Sequence, residues 1–187
     1  MSRSMEFDKI IMGIDPGTTV AGYGIIGIKK NDPHLVSLGV IHLKKLSNHY
    51  IKLKHIFDRT LGLIDEYKPD ELAIEAPFYG KNVQSMLKLG RAQGASIAAA
   101  LHRDIPIFEY APRKIKMSIT GVGSASKEQV ASMLMQILKF KGDSIMLDAT
   151  DGVGAALCHF YQANKPGGEK AYGSWKEFMA KNPGRVK

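Results

Sequence analysis

Four acidic residues stand where predicted elements of structure end or begin. Asp15 ends the apolar run 11–14 and directly precedes a Pro-Gly pair, and Glu75 ends a second short apolar run. Asp148 and Asp151 are three residues apart at the start of a predicted helix, so they share one helix face. Carboxylate oxygens are the ligands that Mg²⁺ prefers. These positions therefore indicate a candidate metal site.

Carboxylates at strand ends and at a helix start can converge at one edge of a sheet. Four converging carboxylates would hold two metal ions about 3.5–4 Å apart, which suits in-line displacement at phosphorus. The chain is also basic, with a net charge of +8 and a pI of about 9.5. A basic protein favours an anionic partner, and nucleic acid is the commonest one. The residues alone thus support metal-dependent phosphodiester hydrolysis as a hypothesis.

Local sequence patterns also allow simpler interpretations of Asp15, Asp148 and Asp151. Aspartate before Pro-Gly is ordinary turn chemistry, so Asp15 also fits a simple turn. Acids in the first turn of a helix stabilise it by about 0.3–1 kcal/mol each, so Asp148 and Asp151 also fit helix-dipole stabilisation. Only the folded arrangement of the chain separates these interpretations.

Basic residues flank the predicted site on both sides. Lys81, Lys88 and Arg91 lie near Glu75, and residues 111–127 carry four cations and no acid. Contacts to phosphate would supply affinity and salt dependence. A solvated surface charge is the alternative for any one of them. The four cations are Arg113, Lys114, Lys116 and Lys127.

Composition and length limit the class of protein. The 187 residues suit one domain with a tail, and we place the domain at 1–163 and a basic tail at 164–187. The sequence has no apolar run near the ~20 residues that span a bilayer, so we expect no membrane partner. The single cysteine, Cys158, excludes an internal disulfide. We expect a soluble intracellular protein.

The apolar periodicity predicts a mixed α/β domain with helices on both faces of a five-stranded sheet. Strands joined by short turns come first and predict an antiparallel meander, and strand–helix–strand units follow. Asn82 is a predicted helix cap, and Ser126 with Gln129 is a predicted capping box. The predicted strands are 9–15, 21–28, 35–41, 71–75 and 105–110, and the principal helices are 49–67, 82–102, 126–138 and 145–162.

Several separate motifs resemble the RuvC family of Holliday-junction resolvases. The opening Gly-Ile-Asp-Pro-Gly-Thr-Thr around Asp15, the Ala-Ile-Glu ending at Glu75 and the Asp-Ala-Thr-Asp of 148–151 carry the resemblance. It is collinear over about residues 9–160. The other matching segments are 22–24, Phe78, 81–82, 87–94, 108–111 with Arg113 and Lys116, and 121–123.

The resemblance implies an RNase H-like fold and a homodimer that acts on four-way junction DNA. It implies paired symmetric nicks in DNA recombination and repair, with Mg²⁺ as cofactor, two ions per active site and Mn²⁺ as a substitute. It also implies contact with the RuvA–RuvB branch-migration complex and a location in the bacterial cytoplasm, associated with the nucleoid.

The resemblance also assigns roles to individual residues. Asp15, Glu75, Asp148 and Asp151 match the metal-binding catalytic carboxylates. Phe78 matches an aromatic residue that contacts bases near the crossover, although Pro77 and the Tyr79-Gly80 pair beside it depart from the family pattern. Lys116 and Lys127 match basic residues near the active site. With the flanking cations, the expected DNA-binding residues are Phe78, Lys81, Lys88, Arg91, Arg113, Lys116 and Lys127.

Three other functions fit parts of the pattern. The motif around Asp15 also resembles the phosphate loop of actin-like and Hsp70-like ATPases, but those proteins need two such lobes and the chain carries one. A RuvC-like nuclease that processes ribosomal RNA would share the fold. A non-catalytic junction-binding protein would bind without metal and without nicking.

Overall fold

The computed structural model describes residues 6–77, 82–141 and 147–164. Phe78 and Lys81, together with the predicted tail beyond residue 164, lie outside these ranges. No helix of the described ranges is long and apolar enough to cross a membrane. The elements in chain order are β1 Lys9–Asp15, β2 Val20–Lys29, β3 Asp32–His42, α1 His49–Tyr67, β4 Glu71–Glu75, α2 Val83–Leu101, β5 Ile107–Tyr110, α3 Pro112–Thr120, α4 Lys127–Ile137 and α5 Leu147–Ala163.

The five strands form one mixed sheet in the order β3-β2-β1-β4-β5. β1, β2 and β3 pair antiparallel as a meander, and β4 and β5 join β1 in parallel. The prediction of a mixed five-stranded sheet is confirmed. β1, β3, β4 and β5 all run in one direction, so their last residues meet at one edge, which we call the carboxyl edge.

Alternate residues of the strands face two different helical layers. Met12 and Ile14 of β1 pack in a cluster with residues of α1 and α2. Ile11 and Ala73 pack on the other face with α3, α4 and α5. The period-2 alternation of the strands produces this division, because successive side chains point to opposite faces. The predicted helices on both faces are confirmed.

Helix α5 approaches the sheet closely because glycines face it. A Cβ on Gly13 would lie 2.0 Å from the carbonyl oxygen of Gly152, and one on Gly22 would lie 1.9 Å from the carbonyl oxygen of Asp148. A Cβ on Gly24 would meet Val153 at 2.5 Å. Main chain therefore packs on main chain along this contact.

Local sequence signals predicted most boundaries of the helices and strands. The clearest difference between prediction and structure lies at the β2–β3 connection. Asn82 caps α2 and Ser126 forms the capping box of α4, as predicted. The third strand was predicted to begin at residue 35, but β3 begins at Asp32. Lys30 and Asn31 both adopt positive φ, at 50° and 65°, so the hairpin turn needs only two residues.

Candidate metal and nucleic-acid site

Asp15 and Glu75 end adjacent parallel strands at the carboxyl edge. Ile14 of β1 pairs with Ile74 of β4, so the next residue on each strand places the two carboxylates side by side. Both side chains point to the face that α5 covers, since each lies two positions from a residue packed on that face. The parallel register thus brings together two acids that are 60 positions apart in the sequence.

Helix α5 brings Asp151 to the same place. Asp15, Glu75 and Asp151 line one cleft of about 300 Å³. Asp148 does not line this cleft, and 56% of its side-chain surface is exposed, against 16% for Asp151. Three of the four predicted carboxylates therefore share a cavity, and the fourth stands at its exterior.

Lys127 is the cation of this cluster. Its Nζ donates to Asp151 Oδ2 at 2.5 Å and lies 3.4 Å from Asp148 Oδ1. Burial alone would lower the pKa of Lys127, but its hydrogen bond to Asp151 and the nearby acids raise it to about 12. A charged ammonium therefore bridges the start of α4 and the two acids of α5.

Positive charge near the cleft does not fully compensate its carboxylates. Burial, followed by the charge of Asp151, raises the pKa of Asp15 to about 7. Burial and the charges of Asp15 and Asp151 raise the pKa of Glu75 to about 8. Burial also raises the pKa of Asp151 against the opposing effect of Lys127. Lys127, together with the weaker effect of Lys116, thus does not neutralise three buried acids, and a further cation would relieve their repulsion.

The donor set fits a hard divalent cation, although the side chains need to rearrange around it. Across residues 6–77, 82–141 and 147–164, no three His, Cys, Asp or Glu side chains already stand as a metal-binding group. Lys127 engages Asp151 in the present arrangement. All donors are carboxylate oxygens in a partly enclosed cleft, the chemistry that Mg²⁺ prefers.

The remaining wall of the cleft includes residues that sequence reasoning missed. Pro112, Ile115 and Val130 supply apolar surface beside the acids. Lys116 also lines the cleft, and its Nζ donates to the carbonyl oxygen of Ala125 at 2.7 Å, which holds the ammonium against the α3–α4 connection. The sequence does not distinguish an apolar helix residue that lines a cleft from one that packs in the core.

Buried polar residues behind the site were also missed. Gln93 of α2 donates to the main-chain carbonyl of Glu75 at 3.4 Å. His159, only 2% exposed, bonds Glu71 at 2.6 Å through Nε2 and Tyr110 at 2.6 Å through Nδ1. His159 therefore lies in the core. Its partners are 88 and 49 positions away, beyond any local pattern.

The predicted DNA-binding residues are spread over a wider surface. Lys88 and Arg91 are exposed on α2, and Arg113 is exposed at the start of α3, where it packs against the loop at Gly123. None of these three lines the cleft. Phe78 and Lys81 fall outside the described ranges, so the structure gives no position for them.

Comparison with known proteins gives one family. Residues 11–159 match the family model described as Crossover junction endodeoxyribonuclease RuvC. A protein of that name from Bacteroides fragilis is 61% identical over 96% of this chain and 97% of its own length. One from Porphyromonas gingivalis is 58% identical over 96% of this chain and 98% of its own. The structure of Thermus thermophilus RuvC in complex with a Holliday junction substrate has a TM-score of 0.73 at 30% identity, covering 82% of this chain and 94% of that one.

Proposed function

Because the chain belongs to the RuvC family of crossover junction endodeoxyribonucleases, we propose that it resolves Holliday junctions in DNA recombination and repair. It is a nuclease of RNase H-like fold, as the sequence indicated. The observation that carries the proposal is the cleft at the carboxyl edge, where Asp15, Glu75 and Asp151 stand beside Lys116 and Lys127.

Within this cleft, the acids hold the cofactor and the lysines meet the substrate. The family points to divalent metal, and we propose two Mg²⁺ ions held by Asp15, Glu75, Asp148 and Asp151, with Mn²⁺ as a substitute. Bound to these carboxylates, such ions would supply positive charge for the attacking and leaving oxygens of a displacement at phosphorus. The apolar wall limits water around the acids, which strengthens each charge interaction.

Lys116 and Lys127 have different tasks in this proposal. Lys116 is fixed by the carbonyl of Ala125 and lines the cleft, so its remaining N–H donors can orient a phosphate oxygen. Lys127 bonds Asp151 and Asp148 before substrate arrives. If the acids hold the cofactor, the ammonium of Lys127 would be available to donate to a substrate phosphate oxygen, where developing negative charge needs a donor.

We propose a homodimer because two opposed strands of a junction need two sites. The exposed face of α2 supports this assembly. Val83 and Leu87 are 66% and 53% exposed, and Leu101 at the other end is 61% exposed. Between them, a Cβ on Gly90 or Gly94 would meet nothing within 4 Å. Positions 83, 87, 90 and 94 follow the 4-3 spacing of a helix-pairing seam, position 101 lies one heptad beyond 94, and the glycines allow close approach.

The remaining parts of the proposal concern the rest of the chain and its surroundings. We propose residues 1–163 as the nuclease domain and 164–187 as a basic tail. We also propose that Phe78, Lys81, Lys88, Arg91 and Arg113 contact the junction around the cleft. The enzyme would act in the bacterial cytoplasm at the nucleoid, together with the RuvA–RuvB branch-migration complex.

The proposal is tested with a synthetic four-way junction whose strands are separately labelled. Wild type should nick two opposed strands in Mg²⁺ and none in EDTA. Asp15→Asn should bind the junction with an affinity close to wild type and produce no nicks. Asp104→Asn is a matched control, because Asp104 is exposed with φ of 54°, a conformation that Asn also tolerates.

The control should nick at the wild-type rate. Full nicking by Asp15→Asn in Mg²⁺ would contradict the proposed metal site. Tight junction binding by wild type with no nicking in any divalent metal would favour a binding protein instead.

A further inference from the structure

A second basic surface lies at the carboxyl edge, on the side away from α3 and α4. From residue 33 to residue 57 the chain carries four lysines, four histidines and no acid. The part of this stretch from 42 to 52, which we call the β3–α1 segment, connects the end of β3 to the first turn of α1. It is not among the residues assigned to DNA above.

The β3–α1 segment is attached to the loop that follows Asp15. The main-chain N–H of Leu43 donates to the carbonyl of Thr19 at 2.9 Å. Lys52 Nζ donates to the carbonyl of Thr18 at 3.1 Å. An ammonium has three N–H donors, so Lys52 keeps others for a ligand while it is held in place. The segment and the metal-site loop are therefore one continuous surface.

The lysines of this segment are available to a partner. Lys44 and Lys45 are exposed, and neither forms an ion pair with any residue of the described ranges. Lys9, Lys54 and Lys127, by contrast, are paired with Glu71, Asp58 and Asp151. Tyr50 beside them is 73% exposed. Unpaired cations beside an exposed aromatic are suited to nucleic acid.

The distance to the catalytic cleft matches the dimensions of DNA. Asp15 pairs with Gly22 on β2, and Gly22 pairs with Val40 on β3. Two strand spacings separate β1 from β3, which is about 10 Å. That length of duplex carries about six phosphate charges. A duplex with one phosphate in the cleft is therefore long enough to reach the β3–α1 segment, which begins two residues beyond Val40.

We propose that the β3–α1 segment binds the phosphate backbone of a duplex arm of the junction, through Lys44, Lys45 and Lys52. This inference rests on the proposed function and extends its substrate surface to the opposite side of the acids. The catalytic cleft would then lie between two basic surfaces, one from α3 and α4 and one from the β3–α1 segment. The contacts are to phosphate, so they contribute affinity without sequence preference.

The test compares two lysine pairs that differ in position. Lys44→Gln with Lys45→Gln removes two charges from the segment. Lys29→Gln with Lys30→Gln removes two charges at the β2–β3 turn, at the opposite edge of the sheet. Dissociation constants for a four-way junction are measured in EDTA from about 50 to 200 mM KCl, a range in which phosphate contacts dominate the salt dependence.

The segment variant should bind about tenfold more weakly at the middle of this range, and its log–log salt slope should fall by about 1.8, since each phosphate contact contributes about 0.9. The control pair should keep the wild-type affinity and slope. A wild-type slope in the segment variant would overturn the inference, whether or not affinity changes, because weaker binding with an unchanged slope would point to a protein contact.

Nicking of the junction by wild type distinguishes a failure of this inference from a failure of the proposed function. Normal nicking by wild type, with an unchanged slope in the segment variant, overturns this inference alone. A wild type that binds the junction no better than linear duplex and never nicks it overturns the proposed function, and this inference with it.

Discussion

Lys127 Nζ lies 2.5 Å from Asp151 Oδ2, so the first residue of α4 bonds the second turn of α5 inside the acidic cleft. Asp151 is the better buried of the two α5 acids, with 16% of its side chain exposed. A metal ion bound as proposed above would therefore compete with the ammonium for the same carboxylate. This competition gives Lys127 a measurable effect on metal binding.

Replacement of Lys127 by Met should make the protein more dependent on Mg²⁺. Without metal, the variant should lose about 1 kcal/mol of stability, a modest figure because half of the Lys127 side chain is exposed. With saturating Mg²⁺ the loss should shrink, since the ion supplies the missing charge. Thermal unfolding with and without Mg²⁺ measures the difference.

Lys114→Met serves as the control for this experiment, because Lys114 is exposed on α3 and is not among the residues that line the cleft. Its Mg²⁺-induced shift in Tm should equal that of wild type. An equal shift in Lys127→Met would show that the lysine and the ion do not compete.

Gly22→Ala should damage both stability and nicking. Its Cβ would lie 1.9 Å from the carbonyl oxygen of Asp148, a main-chain atom that cannot move without α5. Overpacking of this kind costs about 1–3 kcal/mol. The displaced helix carries Asp148 and Asp151, so nicking should fall more than the loss of folded protein explains. Denaturant unfolding and single-turnover nicking measure the two effects.

Gly62→Ala is the opposite case and the matched control. Gly62 lies inside α1, and an added Cβ would meet nothing within 4 Å. This substitution should stabilise the protein by about 0.5–1 kcal/mol and leave nicking unchanged. Equal behaviour of the two alanine variants would refute the close contact of α5 with the sheet.

Glu71→Gln should change how stability depends on pH. Burial acts to raise the pKa of Glu71, but hydrogen bonds from His159 and Lys9 outweigh it and hold the pKa below the ordinary 4.5. A lowered pKa means that the ionised form stabilises the fold above about pH 4.5 and loses this effect as pH falls through the folded value.

The gap in unfolding free energy between wild type and Glu71→Gln should therefore be about 1–3 kcal/mol near neutral pH and should narrow below pH 4.5, because bonds to a charged acceptor are replaced by bonds to a neutral one. Urea unfolding across pH measures the gap. Glu66→Gln, at an exposed position on α1, should show no such change. A gap that stays constant from neutral to acid pH would refute the ion-pair account.

Leu87→Glu should break the proposed dimer. Leu87 is 53% exposed on α2, and a carboxylate there would be buried unpaired against the second copy. The dimer dissociation constant, measured by sedimentation, should rise at least about tenfold, equivalent to 1.4 kcal/mol. Nicks on opposed strands should then lose their pairing in time. Met117→Glu, 47% exposed on α3, should leave the dimer intact, and an unaffected dimer in Leu87→Glu would place the interface elsewhere.

The sheet and its carboxyl edge could be predicted from the sequence because their signals are local. Apolar alternation located β1 and β4, and each run ended in its acid, Asp15 or Glu75. The cap at Asn82 and the capping box at Ser126 were equally local. The turn between the second and third strands was predicted at residues 31–33, but it lies at Lys30 and Asn31. Asp32 and Pro33 are ordinary turn residues, yet here they begin the edge strand β3.

The interior of the site could not be predicted in the same way. The pairing of Lys127 with Asp151 depends on how α4 packs against α5, and the outward position of Asp148 depends on the rotation of α5 about its axis. Tertiary packing sets both, and no spacing in the chain encodes them. The family resemblance named these residues without describing their contacts.

The main-chain contact of α5 with β1 and β2 has a consequence for variation in this fold. Side chains can adopt other rotamers when a neighbour changes, but two touching backbones have no such freedom. The distance between Asp15 and Asp151 therefore changes little when side chains elsewhere in the core are substituted. Substitutions at Ile119 or Leu134 can accumulate on the other side of the helix, while Gly13, Gly22 and Gly152 keep the spacing of the acids constant.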